Sequence, residues 1–361
     1  MIKIPIYKPL IGKEEKLLVN DCIKTSWISS SGIYVKRFED KIKEYVGCRY
    51  AISSSNGTTA LHLAMLALKI GKNDEVITSN YTYVASTNAI LIAGARPVFV
   101  DIDPNTFNID VKKIENKITP KTKAILVTNV YGSVADFVSL RKLADKYSLK
   151  IIEDAAESLG SKLDGIMSGN LADISTFSFY GNKTITTGEG GMVTTNIKEY
   201  AEIIKKLKNQ GNSETNTYFH DILGFNYRMT NIQAAIGVAQ MNKIELILEK
   251  KKRVYLFYYK HLNKIVSFPK LLKSSVSSHW MCPILFNNEN QQKKAVMSLT
   301  KNAIETRPFF TPIDLLPFYE TDLECRSAKD IYKRGLLLPS FPTLKQKELK
   351  RIVEIIKYSL R

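Results

Sequence analysis

The chain has 361 residues, 44% of them apolar, and a formal net charge of +17. That length supports a large core, divided into one large and one smaller domain. The basic residues are spread along the chain, as in Lys13-Glu14-Glu15-Lys16 and Lys250-Lys251-Lys252-Arg253, which reads as a lysine-rich solvated surface and excludes a recognisable nucleic-acid module.

In chain order, residues 53–68 read as a small-residue loop opening an apolar helix. Short apolar runs then alternate with amphipathic stretches: Val76-Ile77-Thr78, Pro97-Val98-Phe99-Val100, Ala124-Ile125-Leu126-Val127, Ile151-Ile152, Ile174-Ser175-Thr176-Phe177 and Met192-Val193-Thr194. Alternation of this kind predicts an α/β fold with a mostly parallel central sheet. A charged helical stretch over residues 243–259 predicts the connector from a large domain, residues 1–242, into a smaller C-terminal α/β domain, residues 243–361. Residues 346–360 repeat apolar side chains at helical spacing and predict a terminal amphipathic helix.

Three segments carry chemistry. Lys183 lies in Phe177-Ser178-Phe179-Tyr180-Gly181-Asn182-Lys183, followed by small residues and glycines. Packing explains such a lysine poorly. A desolvated, neutral amine that forms a Schiff base with an aldehyde cofactor explains it well. Asp154 follows the apolar pair Ile151-Ile152. Ligands sit at the carboxyl ends of parallel strands, where an aspartate pairs with a protonated pyridine nitrogen and keeps pyridoxal phosphate an electron sink. By itself Asp154 serves equally as a helix N-cap; Lys183 downstream favours the cofactor role. Gly57 and Thr58 open the helix after Ser53-Ser54-Ser55-Asn56. A helix start offers free N–H groups to a phosphate ester, and Ser178 is placed to reach the same phosphate.

The four cysteines, Cys22, Cys48, Cys282 and Cys325, and the four histidines, His62, His220, His261 and His279, are scattered and give no metal pattern. His220 precedes Asn226 closely enough to line the site. No apolar run approaches the roughly 18–20 residues of a spanning helix, and no signal segment is evident, so a cytoplasmic location without membrane partners is expected.

Together these segments resemble the sugar-nucleotide aminotransferases of the DegT/DnrJ/EryC1/StrS family, with the aspartate aminotransferase type I fold, and are closest to its perosamine-synthase-like members. The resemblance also rests on Ile4-Pro5-Ile6-Tyr7-Lys8-Pro9, Ser26-Trp27-Ile28-Ser29-Ser30, Tyr81-Thr82-Tyr83-Val84-Ala85-Ser86, Gly224-Phe225-Asn226-Tyr227-Arg228 and Glu305-Thr306-Arg307-Pro308-Phe309-Phe310. It implies that Lys183 is the Schiff-base lysine and proton shuttle, and that Asp154 pairs with the ring nitrogen. Glu157 would lie near the ring hydroxyl, and Tyr83 would stack on the ring. Gly57, Thr58 and Ser178 would hold the phosphate, with Asn226 reaching it from a partner subunit in a homodimer with shared sites. Trp27, Tyr81, His220, Arg228, Arg307, Phe309 and Asp314 would contact substrate. The resemblance further implies glutamate as amino donor and a nucleotide-linked 4-keto-6-deoxyhexose as acceptor at C4.

Some residues depart from the family's pattern. Asp314 stands where a histidine often follows the Arg-Pro-Phe-Phe segment, Ser133 replaces the histidine of Tyr-Gly-His-Pro, and Ser79 or Asn80 stands where a proline is frequent. These bear on the choice of sugar and nucleotide. Two other functions fit the resemblance. A dehydratase of the same fold carries histidine in place of the lysine, so Lys183 argues against it. A non-catalytic cofactor-binding regulator would be favoured by an appended DNA-binding domain, which is not evident.

Overall fold

The computed structural model describes residues 3–319 and 325–361. Two helices, α1 (Lys13–Thr25) and α2 (Ile33–Val46), precede β1 (Tyr50–Ser54). The chain then alternates through α3 (Gly57–Ala67), β2 (Glu75–Ser79), α4 (Val84–Ile92), β3 (Arg96–Val100), β4 (Thr122–Thr128), α5 (Phe137–Lys146) and β5 (Lys150–Asp154). Two short strands, β6 (Lys162–Leu163) and β7 (Ile166–Met167), precede β8 (Ile174–Ser178), β9 (Gly191–Thr195) and α6 (Lys198–Lys208).

Seven strands form one sheet in the order β1-β9-β8-β5-β4-β2-β3. Pairing is parallel from β8 through β5, β4 and β2 to β3, while β9 runs antiparallel to both neighbours. Two reversals at β9 leave β1 pointing the same way as β8. Six strands therefore end at one edge, bringing Ser54, Thr128, Asp154 and Ser178 together. The apolar runs are what a sheet covered on both faces requires. Val76, Leu126 and Ile152 pack under α3, α4 and α6 with Leu63, Ile90 and Ile204. Ile77, Ile125 and Ile151 point the other way, onto Phe137 and Leu140 of α5.

After α7 (Asn231–Met241), the long helix α8 (Ile244–Leu262) leads onward. The elements that follow are β10 (Ser275–Val276), β11 (Cys282–Leu285), α9 (Glu289–Lys301), β12 (Arg307–Pro308), α10 (Arg326–Arg334), β13 (Gly335–Leu338) and α11 (Gln346–Ser359). Strands β11, β13 and β12 make a small antiparallel sheet. It shares a separate core with α8, α9 and α11, built from Val254, Ile284, Leu299, Leu338 and Ile352. The chain's first segment joins this unit, because Ile4 bridges to Ile304. Buried Glu15 of α1 pairs with Lys243, just before α8. Among the described residues, no helix is long and apolar enough to cross a membrane.

Candidate active site

A cavity of about 430 Å³ opens at the shared carboxyl edge of β1, β5 and β8. Asp154, the last residue of β5, is 4% exposed. Ser86, in the first turn of α4, donates its hydroxyl to Asp154 Oδ2 at 2.6 Å. The Ala156 N–H donates to Oδ1 at 3.1 Å. A turn follows Asp154 rather than a helix, so the carboxylate is no N-cap. Burial pushes its pKa up; the Ser86 and Ala156 donors and the charge of Lys183 oppose the rise.

Lys183 enters the same cavity from the loop between β8 and β9. Its main chain is held twice: its N–H donates to Tyr180 O at 2.9 Å, and its carbonyl accepts the Tyr7 hydroxyl at 2.6 Å. The amine Nζ lies 4.0 Å from Glu157 Oε1 and 4.3 Å from the centre of the Trp280 ring. Glu157 Oε2 accepts the Tyr131 N–H at 2.7 Å. Burial pushes the Glu157 carboxyl up to about 7, against the pull of Lys183. Burial likewise lowers the Lys183 amine, while Glu157 and Asp154 hold it partly up. The result is an amine that changes charge more readily than a surface lysine does.

The third wall is the start of α3. Asn56 caps it by accepting the Thr59 N–H at 2.9 Å, while the N–H groups of Gly57 and Thr58 have no carbonyl one turn back. A Cβ on Gly57 would stand 2.8 Å from Ser178 Cβ, so this glycine lets the helix start and the end of β8 touch. Tyr83 is 56% exposed and flanks the opening, its ring 6.0 Å from that of Phe310.

Several expected substrate contacts lie elsewhere. Tyr81 is 0% exposed, its hydroxyl 2.7 Å from that of Tyr131, so it is a core residue behind the cavity. Asp314 is buried between Asn80 Nδ2 at 2.9 Å and Lys329 Nζ at 2.7 Å, and pins the turn over Ile313–Leu315. Neither residue is in the lining of the Lys183 cavity, and both side chains are engaged in holding the fold. His220 is exposed and sits 2.8 Å from Gln210 O, away from Lys183. Trp27 is 58% exposed after α1 and does not line the cavity. Arg307 and Phe309 border a second cavity of about 510 Å³, which shares Tyr83, Asn182, Trp280 and Phe310 with the first. Asn226 and Arg228 are also outside the Lys183 cavity of their own chain. The main chain of Asn226 bridges to Asn209, and Arg228 donates to Asn209 Oδ1 at 2.7 Å.

Four residues at the site receive no role from the sequence: Ser86, Tyr131 and Tyr7, which lie in segments quoted above, and Trp280, which does not. Ser86 has a further hint, lying three residues after Tyr83 and thus one helical turn along. The others arrive from distant segments.

The fold and the site place the chain among pyridoxal-phosphate-dependent enzymes of the aspartate aminotransferase type I fold. Residues 9–357 match the DegT/DnrJ/EryC1/StrS aminotransferase family, and the chain belongs to it. It is 44% identical to the GDP-perosamine synthase of Escherichia coli O157:H7, over 98% of this chain and 97% of that one. It is 41% identical to the GDP-perosamine synthase of Vibrio cholerae, over 98% of each. Spr1654 of Streptococcus pneumoniae, solved in a PMP form and a PLP form, superposes at a TM-score of 0.94 with 26% identity and 99% of both chains covered in the PMP form. The cofactor is pyridoxal phosphate. The residues present suit it: an amine that has no close hydrogen bond among the described residues, a buried carboxylate and a helix start share one cavity.

Proposed function

We propose that this enzyme transfers an amino group from glutamate to C4 of a nucleotide-linked 4-keto-6-deoxyhexose, giving a 4-amino-4,6-dideoxyhexose nucleotide for surface glycan synthesis. What carries the reading is one cavity holding the Lys183 amine beside Glu157, with Asp154 and the start of α3 in its walls. The sugar and its nucleotide linkage rest on the two GDP-perosamine synthases, similar over nearly their whole length.

Bound pyridoxal phosphate supplies an electron sink. The chain supplies the rest. Asp154, held by Ser86, would pair with the ring nitrogen. Gly57, Thr58 and Ser178 would receive the phosphate. Glu157 would lie near the ring hydroxyl, and Tyr83 would cover a ring face. Lys183 would hold the cofactor aldehyde, and its amine would move the proton at the reacting carbon. Asn226 completes the phosphate site of a second copy, which explains why it stands away from Lys183 in its own chain and implies a homodimer. Arg307 and Phe309, on the adjoining cavity, border the route by which substrate enters. Division near residue 242 puts the large sheet in one domain and the small sheet in the other.

The test is the visible absorption of protein loaded with pyridoxal phosphate. Glutamate should abolish the visible band, and a GDP-linked 4-keto-6-deoxyhexose should restore it. A band that never forms removes Lys183 from its role. A band that ignores glutamate leaves the fold intact and rejects the donor.

A further inference from the structure

Trp280 lies just before β11, far in sequence from the Lys183 loop, and is 4% exposed. Its indole Nε1–H donates to the carbonyl of Asn182 at 2.7 Å, which fixes the ring against the residue preceding Lys183. The Lys183 Nζ lies 4.3 Å from the ring centre. An ammonium at this distance is attracted to the face of an indole, and the attraction grows where water is excluded. The only ion-pair contact of that amine among the described residues is Glu157, at the long distance of 4.0 Å.

The fold secures this indole from several sides. Ser278 donates its N–H to Ser161 Oγ at 3.0 Å and its hydroxyl to Glu157 O at 3.2 Å, anchoring the approach to the same segment that supplies Glu157. Gly132 has a φ of +89°, and a Cβ there would stand 2.6 Å from Ser278 Oγ and 3.0 Å from Trp280 N. Only glycine lets the two segments close to this distance. The Tyr131 ring lies 6.4 Å from the indole, nearly parallel to it at 24°. Surface packing does not call for so many ties.

We propose that Trp280 is a positioning residue whose indole face holds the Lys183 amine in its charged form, within reach of the reacting carbon, whenever that amine is not bonded to the cofactor. This rests on the reading that Lys183 is the reacting amine. An unbonded lysine in a cavity has several rotamers to explore, and a π face at 4.3 Å together with a carboxylate at 4.0 Å favours the one that meets both. The small C-terminal unit thereby contributes to the chemistry of the large sheet. Asp154 at the end of β5 and Glu157 in the turn after it are the charged groups that act on the amine, so the indole adds a preference for the ammonium that neither carboxylate replaces.

The test is competitive isotopic acetylation with acetic anhydride over a pH series, read by peptide mass spectrometry. It uses full-length protein loaded with pyridoxamine phosphate, in which the Lys183 amine is free. Trp280→Leu removes the π face and should lower the Lys183 labelling midpoint by about one pH unit. Trp280→Phe keeps a weaker π face and should lower it less. Surface lysine peptides should keep their midpoints in both variants. Equal falls in the two variants, or no fall in either folded variant, would overturn the proposal and leave Trp280 a space-filling residue. The underlying reading fails separately: wild-type protein that forms no visible band with pyridoxal phosphate removes Lys183 from the chemistry, whatever the labelling shows.

Discussion

The Ser86 hydroxyl donates to the Asp154 carboxylate at 2.6 Å, across the gap between the first turn of α4 and the end of β5. Thr128 Oγ1 at 3.2 Å and Thr82 Oγ1 at 3.1 Å complete the hydroxyl's surroundings. Asp154 is buried, so it stays ionised only as far as donors and positive charge hold it so. Ser86→Ala deletes a charge-assisted hydrogen bond of about 1.5–3 kcal/mol. The carboxyl pKa then rises further, because one of the donors that oppose the effect of burial is gone. Because the ionised form is the one that pairs with a pyridinium, activity on the acid side should be lost at correspondingly higher pH. The basic side should not move. A pH–rate profile of kcat checks this, and an unchanged acid limb would show that Ser86 does not tune Asp154.

Glu157 gives a stability prediction with a definite sign. Its carboxyl is raised from the ordinary 4.5 to about 7, chiefly by burial. Between those values the unfolded chain has released the proton and the folded one has kept it. Stability on this account falls as pH climbs from 4.5 to about 7, and the loss persists above. Glu157→Gln removes the effect. The difference in unfolding free energy, variant minus wild type, should therefore increase across that window by something on the order of 3 kcal/mol and then level off. Urea unfolding of the cofactor-free proteins at a series of pH values measures it. A flat difference would mean that Glu157 titrates normally.

Gly57 lines the cavity, and Gly181 lies between Tyr180 and Asn182, which line it; the two glycines differ in what a methyl group would meet. On Gly57 it would stand 2.8 Å from Ser178 Cβ and 3.4 Å from Ser178 Cα, whereas on Gly181 nothing lies within 4 Å. Gly57→Ala forces the α3 start away from β8, an overpacking that costs about 1–3 kcal/mol. It should weaken pyridoxal phosphate binding about tenfold or more, while Gly181→Ala stays within about twofold of wild type. Titration of the cofactor's absorbance compares them. Equal affinities would separate the helix start from phosphate binding.

Much of this was legible in the sequence for one physical reason. A parallel strand buried on both faces must be apolar along its length, so runs such as Ala124-Ile125-Leu126-Val127 announce β4 directly. Strand β1 escaped because it ends in Ser53 and Ser54, which look like a loop. Glu39 Oε1 accepts both the N–H and the hydroxyl of Ser53, a compensation that no local pattern reveals. The same limit applies at the site. Asp154 and Lys183 sit at strand ends and in glycine-rich surroundings, where spacing carries information. Trp280 and Tyr7 reach the lysine only through tertiary packing. Asp314 is placed near substrate by its position in a motif, and only tertiary packing shows its side chain held between Asn80 and Lys329.

Lys251 carries the same pH logic into the smaller core, with the opposite slope. It is 1% exposed in α8, donates to Ser340 O at 2.9 Å, and stands 5.1 Å over the ring of Tyr7, whose hydroxyl holds the Lys183 carbonyl. Burial lowers its amine from 10.5 to about 7. The folded protein therefore bears the full cost of a buried ammonium below about pH 7, and the cost disappears as pH rises from there to 10.5. Lys251→Met keeps an unbranched chain of similar length without the charge. It also leaves Ser340 O without this donor, a penalty of about 1–3 kcal/mol that does not vary with pH. The variant should thus compare best with wild type in mildly acidic solution and lose ground steadily as the pH is raised. Urea unfolding across that range reads the slope directly, independently of the constant offset. A difference that stays flat would show that Lys251 remains charged in the folded state, with water or an unrecognised partner meeting its ammonium.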